Sequence, residues 1–335
     1  MPDSRESVFR AAMGRREFVS LAVAGACGAL LAGCSQSAQG SADAAGGASG
    51  SDAAATGSGA TGSGATGSGD AQAYDASVVV ALSRSVADMW LCAGGTLAGA
   101  TDDAISDLGL SDATSVGTIF KPSKEAIVGL GPTLVLLSED VAVQKQLAEE
   151  LRAAGVGVID ETIDSFEDYE SAERTLCDIT GRDDLYDENV TQVAAHVEQV
   201  RASVQAGDAS REDRTYLALR VSATKNKALK RDNFACEIFD DMALANVADD
   251  DSALDELSLE AIVDADPSYV FVITQGDEGQ AEQAYQDAFA SQAVWQDLTA
   301  VREGRVHRMP TDLFHYKPNE RWGEAYDYAY QLVYG

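Results

Sequence analysis

Ser123-Lys124-Glu125-Ala126-Ile127-Val128, followed by Pro132 and Val135, returns as Ser258-Leu259-Glu260-Ala261-Ile262-Val263, followed by Pro267 and Val270. Seven identities at a constant offset of 135 residues favour a duplicated unit over two unrelated helix-to-strand segments. Each copy has the same physical logic. The serine is suited to cap a short helix, the glutamate falls in the first turn where the dipole favours an anion, and Ala-Ile-Val offers an apolar face. The proline stops the helix before the strand begins. The repeat therefore predicts two halves of like construction.

Outward from each copy, short β-rich runs alternate with helical patterns, as in parallel sheets covered by helices. In the first half, residues 77–82 (SVVVAL), 133–137 (TLVLL) and 156–159 read as strands. Helices are expected over 83–93, with Ser85 as cap and Asp88 three residues on, and over 140–154. In the second half, 216–221, 269–274 (YVFVIT) and 306–309 read as strands. Between them, Val193, Val197, Val200 and Val204 recur at i, i+4, i+7 and i+11, one apolar stripe on a helix over 183–206. Such a helix spans about 35 Å and acts as a stiff strut, not a free hinge. The expected fold is α/β, two Rossmann-like lobes with parallel sheets (74–182 and 207–335) joined by this single long helix.

Arg15 and Arg16 stand in a twin-arginine export pattern, Gly14-Arg15-Arg16-Glu17-Phe18-Val19. The apolar stretch behind them, 18–31, is 14 residues long, shorter than the ~20 a spanning helix needs and of signal-peptide size. Leu31-Ala32-Gly33-Cys34 resembles the lipobox at which bacterial lipoproteins are cleaved and acylated on the cysteine. Residues 1–33 are thus expected to be a leader and Cys34 the lipidation site. Residues 34–73, rich in Gly, Ser, Ala and Thr, have little to bury and read as a flexible tether. The expected location is extracytoplasmic, held to the membrane by the lipid alone.

The net charge of −31 repels nucleic acid and anionic headgroups, so nucleic-acid binding is set aside. Cys92, Cys177 and Cys236 form no CxxC, haem-attachment or zinc pattern. Folding before twin-arginine export favours free thiols, with one disulfide left open. The three histidines (His196, His307, His315) make no pair at ligand spacing, and neither a nucleophile elbow nor a P-loop is present. No catalytic residue, resident cofactor or metal centre is expected.

In open α/β sheets ligands sit beyond the carboxyl ends of the strands. This places Ser83, Arg84 and Ser85 at the cleft, with Ser138 and Glu139 after the next strand. Across from them lies Ser222-Ala223-Thr224-Lys225-Asn226-Lys227, then Lys230-Arg231. Lys225 and Arg231, with Arg84, either meet an anionic ligand or belong to a solvated loop that offsets nearby acids. His315 and Tyr316 either bind haem iron or a metal or are ordinary turn chemistry. Trp90 and the stripe Trp322, Tyr326, Tyr330, Val333 are expected in the core. His196 and His307 carry no functional role.

Ala81-Leu82-Ser83-Arg84-Ser85, the Glu-Ala-Ile-x4-Pro unit in each half, the connecting helix and the closing Trp295-Gln296-Asp297-Leu298-Thr299-Ala300-Val301 with Gly304-Arg305-Val306-His307 resemble one family over residues 75–335. It is the ABC-transporter solute-binding proteins for ferric siderophores, haem and cobalamin. The resemblance implies a small ligand captured between the lobes, a ferric siderophore or related iron chelate first, haem or cobalamin as alternatives. It also implies delivery to an ABC permease and its ATPase, with Glu125 and Glu260 as docking residues. A surface sensor or adhesin lipoprotein of the same fold is the other reading.

Overall fold

Val79, Val80, Ala81 and Leu82 are shut off from solvent, as an apolar run without alternation requires of a strand covered on both faces. Val79–Ala81 (β1) lies at the centre of a parallel sheet in the computed structural model, which describes residues 74–207, 214–249, 254 and 257–335. Cys34, the leader and the tether to residue 73 lie outside the described residues. On one side of β1 are Gly99–Ala100 (β2) and Thr114–Ser115 (β3). Gly117–Thr118 (β4) and Lys121–Pro122 (β5) make a separate antiparallel hairpin. Leu134–Ser138 (β6) and Gly157–Glu161 (β7) complete the sheet, in the order β3-β2-β1-β6-β7. Its helices are Arg84–Cys92 (α1), Asp102–Leu108 (α2), Lys124–Gly129 (α3), Ala142–Ala153 (α4) and Phe166–Thr180 (α5).

Asp183–Tyr186 (α6), a wider turn over Asp187–Thr191 and Gln192–Ala206 (α7) then run on without a break in helical backbone. Val197, Val200 and Val204 of the anticipated stripe are buried along it.

The second sheet contains Thr215–Val221 (β8), Asn226–Ala228 (β9), Ala245–Asn246 (β10), Tyr269–Thr274 (β11) and Val306–Met309 (β12). Its parallel order is β10-β8-β11-β12, with β9 antiparallel against β8. Its helices are Phe234–Asp241 (α8), Leu259–Ala265 (α9), Glu278–Tyr285 (α10), Thr299–Arg302 (α11), Thr311–Phe314 (α12) and Trp322–Tyr334 (α13). No helix of the described residues is long and apolar enough to cross a membrane.

The internal repeat is structural. The α3 and α9 helices feed β6 and β11, and these strands pair in parallel with β1 and β8, the first strand of each sheet. Ser123 Oγ accepts from the Ala126 N–H at 3.2 Å and Ser258 Oγ from the Ala261 N–H at 3.4 Å. Ile127 and Ile262 are fully buried, whereas Glu125 and Glu260 are exposed.

Several details differ from expectation. Ser83, not Ser85, caps α1, accepting from the Val86 N–H at 3.4 Å. Ser85 Oγ instead accepts the Lys317 N–H at 3.2 Å, a contact 232 residues away that no local rule foretells. Also unanticipated are β2, α2 and β3, each too short to carry a readable period, and α5, which is long enough to carry one. Cys92, Cys177 and Cys236 are free thiols.

The halves are packed together, not merely linked. Trp322 is fully buried and meets Phe166 of α5 edge-on at 5.5 Å and Phe234 of α8 edge-on at 5.7 Å. Arg201 of the connecting helix donates to Glu237 at 2.9 Å, Asp241 at 2.7 Å and the Tyr326 hydroxyl at 3.0 Å. Glu237 also accepts the Phe166 N–H at 2.8 Å. Apolar packing and a charged network therefore act across the same junction.

Candidate functional site

Strand ends rather than strand middles form the site. The backbone leaving β1 turns into α1 at Ser83, β6 ends at Ser138, and β11 ends just before Gln275; all three residues border one cleft of about 780 Å³. That volume lies within the range of small-ligand pockets.

Three cationic side chains gather deep in it. Arg84 lies over the Tyr316 ring at 4.2 Å, and its Nε is 3.7 Å from Asp107. Arg220, next to last in β8, has an Nε without a hydrogen-bond partner among the described residues. Burial pulls its guanidinium below the usual range, opposed by nearby groups that include Asp140 and Asp232. Lys317 donates to the Ile163 carbonyl and lies 4.9 Å from the centre of the Phe234 ring. His315 stands among these three. Burial first, then Arg220, Lys317 and Arg84, push its imidazole down to about 4, so it is neutral at pH 7. Its Nδ1 has no hydrogen-bond partner among the described residues.

Acids surround this floor. Asp102, Asp140 and Asp232 are exposed on the rim, where water screens them. Glu161, at the end of β7, is half-buried; desolvation, with Asp160, Asp168 and Glu139 adding repulsion, lifts it to about 7. Partly desolvated cations with unfilled donors are suited to grip an anion, since an unmet donor is costly and a charge-assisted hydrogen bond is strong. Exposed Phe120, at the β4–β5 turn, adds an apolar edge.

Of the residues anticipated from sequence, Ser83, Arg84, Ser85 and Tyr316 line this cleft. Glu139, Lys225 and Arg231 do not. Glu139 is exposed, with Lys145 at 4.0 Å. Lys225 is exposed in a turn closed by Ser222, whose Oγ donates to the Lys225 carbonyl at 2.7 Å. Arg231 pairs with Asp249 at 3.3 Å. The basic run does reach the cleft through Lys227. Arg220 was missed because β8 reads as a buried strand. Its signal was a single charge near the carboxyl end of Tyr216-Leu217-Ala218-Leu219-Arg220-Val221, which an apolar strand does not otherwise carry.

The docking candidates lie outside the cleft lining, each in the first turn of its short helix, α3 or α9.

Residues 79–313 match the family model described as periplasmic binding protein. The Fe(3+)-citrate-binding protein YfmC of Bacillus subtilis (strain 168) is 26% identical over 249 residues, 70% of this chain and 73% of that one. Among solved structures, IsdE of S. aureus complexed with heme superposes with a TM-score of 0.65 at 14% identity, over 77% of this chain and 98% of that chain. The periplasmic vitamin B12 binding protein BtuF of Vibrio cholerae gives 0.64 at 15% identity, over 76% and 96%. At these identities the two structures bear on the fold alone.

Proposed function

Because the chain belongs to the periplasmic binding protein family, we propose that it captures an anionic ferric chelate of the citrate or siderophore type and hands it to an ABC permease. The observation that carries the ligand class is the gathering of Arg84, Arg220 and Lys317 around neutral His315. The name of the B. subtilis relative supports the same chemistry. The iron chelate is cargo, and the reading needs neither a resident cofactor nor catalysis. Residues 1–33 serve as a twin-arginine leader, Cys34 carries the lipid, and 34–73 tether the lobes 74–182 and 207–335 outside the cytoplasm. The partners are the permease, through Glu125 and Glu260, and its ATPase.

Fluorescence titration with ferric citrate, a ferric hydroxamate, haem and cobalamin tests the ligand class. Ferric citrate or the hydroxamate should bind well below ~10 μM, near the nanomolar scale, and neither doing so overturns the reading. Arg220→Ala should weaken the bound chelate by about 1.5–3 kcal/mol, the scale of a hydrogen bond to a charged group.

Glu161 makes the binding depend on pH. Its raised value means that it gains a proton as the pH falls through about 7, removing a negative charge from the cleft wall. Affinity for the anion should therefore rise roughly 3- to 10-fold from pH 8 to pH 6, as expected for one charge in a partly buried site. Glu161→Gln should flatten this profile at its tighter end. A profile unchanged by the substitution excludes Glu161 as its source.

A further inference from the structure

We propose that Asp88, Cys92 and Glu320, with Glu173 beside them, bind one divalent ion of the zinc type where the C-terminal segment packs on the first half. None of the four lines the cleft. Asp88 and Cys92 stand one turn apart on α1, and Glu173 and Cys177 one turn apart on α5. Glu320 arrives from the turn that precedes α13. One ligand atom from each of Asp88, Cys92 and Glu320 lies within 4.8 Å of the others. A slight contraction brings such a set to the ~2.0–2.3 Å bonds of a four-coordinate ion. One thiolate among carboxylates suits a borderline ion rather than calcium or magnesium.

Two fully buried side chains point independently to a missing partner. Glu173 is 0% exposed and its Oε2 has no hydrogen-bond partner among the described residues. It is near enough to Glu320 and Asp88 for their charges to act on it. Asn319 is likewise 0% exposed. It donates from Nδ2 to Asp88 at 3.0 Å and leaves its Oδ1 without a partner among the described residues. The charged groups acting on Cys92 are Glu320, Asp88 and Glu173, all acids. Arg321, the cation beside Glu320, is held by Asp312 at 2.6 Å and Glu324 at 2.8 Å.

Burying like charges without a counter-ion is costly, and a divalent ion supplies one. The Cys92 thiol donates to Glu320 Oε2, its Sγ 3.0 Å away. A bound ion displaces the thiol proton. The S–H bond breaks as the sulfur–metal bond forms, and the proton passes to solvent, with no change of oxidation state. Glu320 follows the second sheet in the chain whereas Asp88, Cys92 and Glu173 belong to the first half, so the ion fastens the two together.

The test uses the full chain, stripped with chelator and titrated with Co²⁺, then with Zn²⁺ in competition. One cobalt per chain should bind, with a sulfur-to-cobalt charge-transfer band, release of protons and a raised Tm; zinc should displace it. Cys92→Ser should abolish the band, and Glu320→Gln should weaken binding beyond the roughly 10–100-fold typical of losing an outer-shell partner. X-ray absorption of the loaded wild type should find one sulfur neighbour, a readout that needs no variant to fold. Absence of sulfur from the metal's shell, or binding unaffected by both substitutions, overturns the proposal.

Discussion

Cells that carry Glu125→Arg together with Glu260→Arg should take up no ferric chelate, while the purified variant binds it within about twofold of the parent. Each glutamate also complements a helix dipole, which is worth only ~0.3–1 kcal/mol. An exposed substitution usually shifts stability by no more than ~0.5 kcal/mol. Those terms lower Tm by a few degrees and leave the cleft untouched, so they do not account for lost uptake. The two residues are exposed on equivalent helices that feed equivalent strands, which is the arrangement two-point docking needs. Each single reversal should give an intermediate rate. Uptake at the parental rate in the double variant removes the docking assignment without touching the ligand reading.

Trp322→Ala should destabilise the protein by about 3–5 kcal/mol, the cost of emptying a large aromatic site in a packed interior. For a unit of this size that lowers Tm by roughly 10 °C or more. The ring packs edge-on against Phe166 from the first half and Phe234 from the second, so the cavity opens at their junction. Phe234 also lines the cleft, so chelate affinity should fall with stability. Trp322→Phe keeps an edge-on partner and should recover most of both; its indole Nε1 has no hydrogen-bond partner among the described residues to lose. Calorimetry checks the stability, and a loss below ~1 kcal/mol for the alanine variant rejects the bridging role.

Much of the architecture was legible because local physics repeated itself. Ser123 and Ser258 cap as read, Ile127 and Ile262 are buried as read, and the valines at 197, 200 and 204 mark the inner face of the connecting helix. Caps and periodic stripes depend on neighbours within a turn or two, so the chain alone displays them. The short elements β2, β3 and α2 fell below that threshold.

The site was half legible. Position at the end of a strand placed Ser83, Arg84 and Ser85 at the cleft they line, and Tyr316, singled out with His315 as an iron or metal contact, lines it too. Charge density in the sequence singled out Lys225 and Arg231, but a turn closed by Ser222 and a pairing with Asp249 hold them elsewhere. Arg220 and Lys317 were hidden, one inside a strand pattern and the other in a loop near the C-terminus.

By itself, then, the order of residues determined the two-sheet plan, the stiff link and the equivalence of the two glutamate helices, since capping, apolar period and repetition are written in short-range chemistry. Only the tertiary structure decided which charges share a cavity and which acids crowd around Cys92. Such neighbours include Arg84 with Lys317 and Cys92 with Glu320, each pair more than two hundred residues apart, and desolvation acts on whatever the packing places side by side.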